Sequence, residues 1–217
     1  MGKVSGTLPT RTISSSTEAK GTRFFTRLGF SIYNAAWYTL KMGKGVETEN
    51  MAVYIIKVRK KILGDEHSDT LNRMAIVGLA HSLNGRWDNA EKLEVQVIET
   101  RKTKLGVDHL DTLTSMANLA STYGNQSRWD NAEKLEVQVL ETRKTKLGVD
   151  HPDTMTSMNN LAFTWKGSGK EIEAIRLMEE CVQLRTRILG VNHPDSISSC
   201  TVLDTWKAEQ EDVTLLI

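Results

Sequence analysis

The sequence predicts an all-α fold, an α-solenoid in which antiparallel helix pairs stack one after another. Residues 86–109 recur as residues 128–151 with a single difference, Ile98 against Leu140. A looser copy at 170–193 keeps the same 42-residue spacing. A fixed period of this length is typical of repeat arrays. The composition agrees, since it has only three prolines and is rich in helix-favouring residues.

Composition and charge narrow the class of protein. A hydrophobic content of 39% with 25% charged residues is typical of a globular protein rather than a disordered one. The net charge of +1 gives no general reason to expect nucleic acid or membrane partners. Cys181 and Cys200 replace apolar residues of the other copies, which predicts buried free thiols and a reducing, cytoplasmic location.

The N-terminal part differs from the rest. Residues 1–22 lack apolar periodicity and predict a disordered basic tail; a mitochondrial presequence is the alternative for this basic stretch. Residues 23–61 hold two predicted helices of a degenerate first unit. The longest uncharged apolar-leaning run, residues 28–40, is too short to span a bilayer.

The loops between units share one pattern, represented by LGVDHPDT at 147–154. Gly148 can close the preceding helix in a left-handed conformation. The Asp-Thr pair, Asp153 and Thr154, is predicted to cap the next helix, with Pro152 just before the cap. The same loop occurs four times at the 42-residue spacing.

Each full unit then contains two amphipathic helices. In the first helix Met116, Leu119, Ala120 and Tyr123 share one face. A turn with Gly85, Ser127 or Gly169 follows. The second helix has a core stripe of Ala90, Leu93, Val97 and Ile98 in its first copy, and Glu91, Lys92, Glu99 and Lys102 are predicted to be solvated.

The domain limits follow from these elements. A disordered basic tail is predicted at 1–22, a repeat domain at 23–209 and a C-terminal tail at 210–217. Within the repeat domain we predict a degenerate unit at 27–68, full units at 69–110, 111–152 and 153–194, and a capping helix at 195–209.

Ala120, Tyr123 and Ala132 have the spacing of a small residue, an aromatic residue and a second-helix alanine, and Ala162, Trp165 and Ala174 repeat it. In this the chain resembles the tetratricopeptide repeat, and the 42-residue period with LGVDHPDT resembles its kinesin light chain type, as found in fungal signalling repeat arrays. The resemblance implies a right-handed superhelix whose first helices line a concave groove. HEAT and armadillo repeats share the period but do not predict this spacing.

The sequence departs from that family at two positions of the second helix. Glu94 and Glu136 stand where the family usually has a large or apolar residue, and Met178 stands there in the third unit. Two explanations are open: Val95 and Val137 rotate into the gap, or the core stripe is thin.

No catalytic or metal site is predicted. Four loop histidines, His67, His109, His151 and His193, belong to successive units and lie too far apart to share one ion. They are predicted to organise their own turns. No nucleophile motif or phosphate-binding loop occurs in the sequence. We therefore expect no enzyme activity and no cofactor.

The resemblance implies that Asn118 and Asn160 hydrogen-bond the backbone of a bound peptide; the alternative is that they only satisfy groups within the repeat. The predicted partner-binding residues are Asn118, Asn160, Thr114, Ser121, Thr156, Asn159, Phe163 and Lys166. The predicted function is recognition of a protein or peptide segment in the groove, without nucleic acid or membrane. The alternative is a regulatory array from a larger signalling protein that acts by self-association.

Overall fold

Eight α-helices and no strand form residues 45–215, the part of the chain that the computed structural model describes. From α2 to α7, helices of 16 and 19 residues alternate. This regular alternation confirms the all-α fold built from helix pairs. In chain order the helices are α1 (Gly45–Leu63), α2 (Ser68–Leu83), α3 (Trp87–Leu105), α4 (Leu110–Asn125), α5 (Trp129–Leu147), α6 (Pro152–Gly167), α7 (Glu171–Leu189) and α8 (Pro194–Leu215).

The chain divides into two compact units, Met1–Thr70 and Leu71–Ile217. In the first unit, Arg59 of α1 pairs with Asp69 at the start of α2. The predicted tail at 1–22 and the first predicted helix of the degenerate unit lie outside the described residues. The domain limits derived from the sequence therefore stay a prediction.

In the second unit each helix from α3 to α7 packs against the next one along the chain. Helix α4 also contacts α6, two helices further along the chain. The first helices of neighbouring repeats therefore lie side by side, as in a two-layer solenoid. This contact brings α4 and α6 together at the site described below.

The buried stripes of the helix pairs match the predicted ones closely. Met116, Leu119 and Ala120 are buried in α4, and Ala132 and Val139 are buried in α5. The aromatic positions, Tyr123 and Trp165, and the second-helix leucines, Leu93 and Leu135, are only half-buried. Cys181 is fully buried and Cys200 half-buried, and both are free thiols.

The residue that caps each first helix is the loop histidine, which corrects the predicted Asp-Thr cap. Nδ1 of His109 accepts a hydrogen bond from the backbone N–H of Asp111 at 3.2 Å, and His151 accepts one from Asp153 at 3.1 Å. Pro152 follows the cap as the first residue of α6, where its missing N–H leaves no hydrogen bond unmade. The prediction that these histidines organise their turns is confirmed.

Two positions in the turns have a positive φ that bears on the sequence. Gly148, with φ of 88°, ends α5 by donating its N–H to the carbonyl of Lys144. Ser127, with φ of 58°, is the one non-glycine residue with positive φ within residues 45–215. It stands where the neighbouring repeats have Gly85 and Gly169, so the second repeat carries a strained turn.

Candidate functional site

A cavity of about 350 Å³ opens between α4 and α6. Helix α5 contributes its first residue, Trp129, and one buried acid, Glu136. We call this cavity the α4–α6 groove. It is lined by Ser121, Gly124, Asn125, Trp129, Glu136, Asn160, Phe163 and Thr164.

Three of the predicted partner-binding residues meet in the groove. Ser121 is exposed on α4, and Asn160 is half-buried on α6. Phe163, one turn after Asn160, keeps 46% of its surface exposed. Residues from two repeats are therefore brought together at one site.

The other five predicted residues do not line the groove, and four of them have partners within the repeat array. Thr114 Oγ1 accepts a hydrogen bond from Arg143 at 3.1 Å, and Thr156 donates to the carbonyl of Pro152 at 2.9 Å. Asn159 Oδ1 accepts from Arg185 at 3.4 Å. Asn118 is half-buried on α4.

Lys166 is the fifth, and it lies at the contact between α6 and α8. Its ammonium group is 3.2 Å from Glu171 and 3.0 Å from Glu209. Nearby, the ring of Phe163 meets that of Trp206 edge to face, with 5.1 Å between centroids. Helix α8 thus covers one side of Phe163, whereas the other side faces the groove.

Glu94 and Glu136 are buried acids, which contradicts both explanations offered for these positions. Each is 1% exposed, whereas Val95 and Val137 stay 39% and 38% exposed. The valines do not rotate inward, because the carboxylates themselves occupy the core. The chain fills this position with an acid in two repeats and with the buried Met178 in the third.

The two buried acids have different partners. Glu94 Oε2 lies 2.8 Å from Thr122 Oγ1, which is also 3.0 Å from Ser82 Oγ. Burial raises the pKa of Glu94 to about 7, against the hydrogen bond from Thr122, and the charge of Glu91 raises it further. Burial raises the pKa of Glu136 to about 8, although the charge of Arg143 and a hydrogen bond from Asn160 oppose the shift. Asn160 is therefore engaged within the array as well as lining the groove.

Trp129 forms one wall of the groove. A Cβ atom added to Gly167 would lie 2.5 Å from Cη2 of the Trp129 ring, and one added to Gly124 would lie 3.6 Å from Cζ3 of the same ring. The ring therefore sits against the backbone of α6 and close to that of α4. The first repeat has Trp87 and the third has Glu171 at this position.

A buried arginine that was not predicted from the sequence ties three helices together. Arg143 of α5 donates to the carbonyl of Asp153 at 3.1 Å and to Ser157 at 2.9 Å, both on α6, and to Thr114 on α4. Arg101 and Arg185 bond Ser115 and Ser199 in the same way. The available signal was the recurrence of this arginine every 42 residues, followed 14 residues later by a serine in each of these three copies.

Glu91 was also predicted wrongly as a purely solvated charge. Its carboxylate pairs with Arg128 at 2.7 Å and accepts a hydrogen bond from Tyr123 at 3.2 Å. The Arg128 guanidinium lies over the Tyr123 ring, 4.1 Å from its centroid. Glu133, Trp165 and Lys170 repeat this arrangement in the next unit. These contacts hold neighbouring repeats in register.

Within the described residues, no group of three or more His, Cys, Asp or Glu side chains is arranged to hold a metal ion. The helices between residues 45 and 215 include none that is both long and apolar enough to cross a membrane.

Helix pairs of constant length whose first helices lie side by side define an α-solenoid repeat protein. The sequence model of the tetratricopeptide repeat matches residues 70–111, 112–153 and 154–195, which is more than half of the chain. The chain therefore belongs to the tetratricopeptide repeat family. A search of curated proteins finds no match.

Solved structures support the same fold. Two structures of a Podosopora anserina kinesin light chain with nearly identical TPR-like repeats, one of them a point variant, have TM-scores of 0.71 and 0.72. Both are 24% identical to this chain, and the match covers 88% of this chain and 92% of theirs. BtubC (BKLC) from P. vanneervenii has a TM-score of 0.66 at 16% identity, covering 78% of this chain and 67% of that one. The fold of this chain is therefore similar to that of kinesin light chain-type repeat proteins.

Tetratricopeptide repeats generally mediate contacts between proteins and generally do not catalyse reactions. The chain is accordingly a protein-interaction repeat module.

Proposed function

We propose that the chain binds an extended or helical segment of a partner protein in the α4–α6 groove. The observation that carries the proposal is the meeting of Ser121, Asn160 and Phe163 at one cavity of about 350 Å³. Small clefts with a few convergent polar groups and an exposed aromatic surface are the usual form of a recognition site. Hydroxyl and amide groups suit a peptide backbone, and Phe163 suits an apolar side chain.

Differences between repeats support this choice of surface. The nearly identical stretches 86–109 and 128–151 supply second helices and loops, which form the same scaffold twice. In the first helices the sequence changes: Asn160 aligns with Ile76, and Gly124 aligns with Ser82. Specificity arises where the copies differ, so the groove between first helices is the better candidate.

Three further expectations concern the class of partner, the cellular compartment and the extent of the repeat domain. A protein partner rather than nucleic acid or membrane is expected from the balanced charge, +1 over the whole chain. Two free thiols support a reducing compartment such as the cytoplasm. We expect the repeat domain to extend over residues 23–209 and to act without catalysis.

Affinity capture with quantitative mass spectrometry tests the proposal. Ser121→Trp fills the groove from an exposed position, and Gln138→Trp adds the same side chain to an exposed position on α5. We expect Ser121→Trp and the double variant Asn118→Ala/Asn160→Ala to lose partners that Gln138→Trp retains. Partners kept unchanged by all three variants would refute the groove as the binding surface.

Self-association is the second candidate, and Ile197 favours it. Ile197 on α8 is 53% exposed, whereas its equivalents Leu113 and Met155 are fully buried. A second copy could cover this apolar surface. Light scattering over a range of concentrations should then show a dimer that Ile197→Asp dissolves; a monomer at all concentrations would contradict it.

A further inference from the structure

We propose that the α4–α6 groove accepts a lysine or arginine side chain of the bound segment, with the Glu136 carboxylate as its counter-charge. The inference rests on the proposed function and specifies the chemistry of the segment. Glu136 lines the cavity and is 1% exposed, and its Oε2 atom has no hydrogen-bond donor among the described residues. A buried carboxylate oxygen without a donor is costly, so a donor brought by a ligand is stabilised there.

The charges around the groove favour a cation. Apart from Glu136, every residue that lines the cavity is uncharged. The charged group that acts on Glu136 is Arg143 of the same helix. Its two terminal nitrogens are already engaged, one by Asp153 and Ser157 and the other by Thr114. The groove therefore keeps an acidic group that no cation pairs with directly.

The walls of the groove suit a long basic side chain. Trp129 and Phe163 offer aromatic surface on which an aliphatic stem or a guanidinium group can lie. The side-chain oxygens of Ser121 and Asn125 can accept the remaining N–H groups. A volume of about 350 Å³ lies at the small end of ligand sites, as expected for one side chain rather than a cofactor.

The preceding repeat shows why this pocket is particular to α4 and α6. There Ser82 stands at the position of Gly124, and its hydroxyl oxygen lies 3.0 Å from Thr122 and 3.2 Å from Asn125. The equivalent acid, Glu94, accepts a hydrogen bond from Thr122 at Oε2 and, like Glu136, keeps its other oxygen without a donor in the described part of the chain, so the two repeats differ in the space beside the acid. Gly124 has no side chain to fill the corresponding space, so the cavity stays open beside Glu136.

Binding should be coupled to proton release. The pKa of Glu136 is raised to about 8, so its carboxyl group is mostly protonated at pH 7. A bound cation favours the ionised form, and the proton leaves to solvent. Affinity for a basic side chain should therefore rise with pH by up to about tenfold per unit below pH 8.

The test uses the full chain and four acetylated, amidated pentapeptides with a central Arg, Lys, citrulline or Glu flanked by glycines. Nuclear magnetic resonance titration of the Trp129 indole signal gives the affinities. Glu136→Gln removes the charge with little change of shape, Glu94→Gln is the matched control, and Gly124→Ser rebuilds the closed arrangement of the preceding repeat. We expect Glu136→Gln, which removes one partner of a buried charge pair, and Gly124→Ser, which fills the space beside it, to weaken binding of the Arg peptide by about tenfold or more. Glu94→Gln should leave this affinity within about twofold.

The outcomes separate this inference from the proposed function. Equal affinity for the Arg and citrulline peptides would overturn the charged pocket while leaving the peptide groove in place. The charged pocket would also be overturned if the Arg peptide bound the Glu136→Gln variant as tightly as it binds the wild-type protein. If no peptide binds, the basic-side-chain pocket is wrong, and the Ser121→Trp capture experiment decides separately about the groove. Calorimetry in two buffers of different ionisation enthalpy must also show proton release with the wild type and none with Glu136→Gln.

Discussion

Thr122 Oγ1 lies 2.8 Å from Oε2 of Glu94, so a first-helix hydroxyl of one repeat hydrogen-bonds one oxygen of a buried acid of the repeat before it. The third repeat changes both positions, with Met178 in place of the acid and Trp206 in place of the hydroxyl. Met178 and Trp206 belong to one apolar cluster. A polar contact between repeats is thus exchanged for an apolar one as the array approaches α8.

The buried acids make the stability of the array depend on pH. The pKa values of Glu94 and Glu136 rise from 4.5 to about 7 and about 8 on folding. The folded state then holds more protons than the unfolded state between pH 4.5 and 8. Their stabilising contribution is therefore complete below pH 4.5 and is lost as pH rises through 7 and 8. We expect the free energy of unfolding to fall by at most about 1.4 kcal/mol per pH unit for each acid in this range.

Urea denaturation between pH 5 and pH 9 measures this dependence, with Glu94→Gln/Glu136→Gln as the control. Burial lowers the pKa of His81, which gives the opposite pH dependence, and the control retains that histidine. The difference between wild type and control therefore reports the acids alone. We expect the free energy of unfolding of the wild type to fall relative to that of the control as pH rises. A constant or rising difference would contradict the burial and protonation of the two acids.

Arg143 should be sensitive even to replacement by lysine. Its guanidinium donates to two oxygens on α6 and one on α4, and a lysine ammonium cannot match that forked geometry. We expect Arg143→Lys to lower the free energy of unfolding by about 1–3 kcal/mol. Lys134→Ala, at an exposed position of the same helix, should change it by less than about 0.5 kcal/mol. Equal effects of the two variants in urea denaturation would be inconsistent with this role.

Because of the position of the Trp129 ring, we expect two glycine-to-alanine substitutions to change the stability in opposite directions. In Gly167→Ala the new methyl group would meet the Trp129 ring at 2.5 Å, so the ring must move, and we expect a loss of about 1–3 kcal/mol. In Gly124→Ala the contact is an ordinary 3.6 Å, and the better helix propensity should add about 0.5–1 kcal/mol. Thermal unfolding followed by circular dichroism compares the two. Stabilisation by Gly167→Ala would show that the ring does not pack as described.

Ser127 offers a stabilising substitution. Its φ of 58° is unfavourable for a residue with a side chain, and its equivalents Gly85 and Gly169 avoid the cost. We expect Ser127→Gly to raise the free energy of unfolding by about 1 kcal/mol. Gln126→Gly, next to it at φ of −87°, should lower stability instead, because it only adds freedom to the unfolded chain. The midpoint of urea unfolding should move in opposite directions for the two variants.

The period, the helix pairs and the loops could be predicted from the sequence because the same pattern recurs every 42 residues. Burial of Glu94 and Glu136 could not, since pattern analysis assigns acids to the surface and the hydroxyl of Thr122 comes from the next repeat. The histidine cap was missed for a similar reason: Asp153 is the commoner capping residue, but only geometry shows that Nδ1 of His151 reaches its N–H.

The candidate site was predictable only in part. Ser121, Asn160 and Phe163 meet in the groove, but Thr114 and Asn159 are engaged by arginines whose burial the sequence did not indicate. Trp129 and Glu136 belong to the second helix, which carries none of the predicted partner-binding residues. A helix that repeats almost without change can still contribute to a site, because the neighbouring first helices differ.

Photo-crosslinking tests most directly whether the groove between first helices is the binding surface. A benzoylphenylalanine residue at position 121 faces the α4–α6 groove, and one at position 138 lies on the exposed surface of α5. After irradiation in extracts, we predict that discrete partner proteins crosslink to position 121 and not to position 138. Crosslinking of the same partners at position 138 alone would contradict the assignment and would locate binding on the nearly identical second helices.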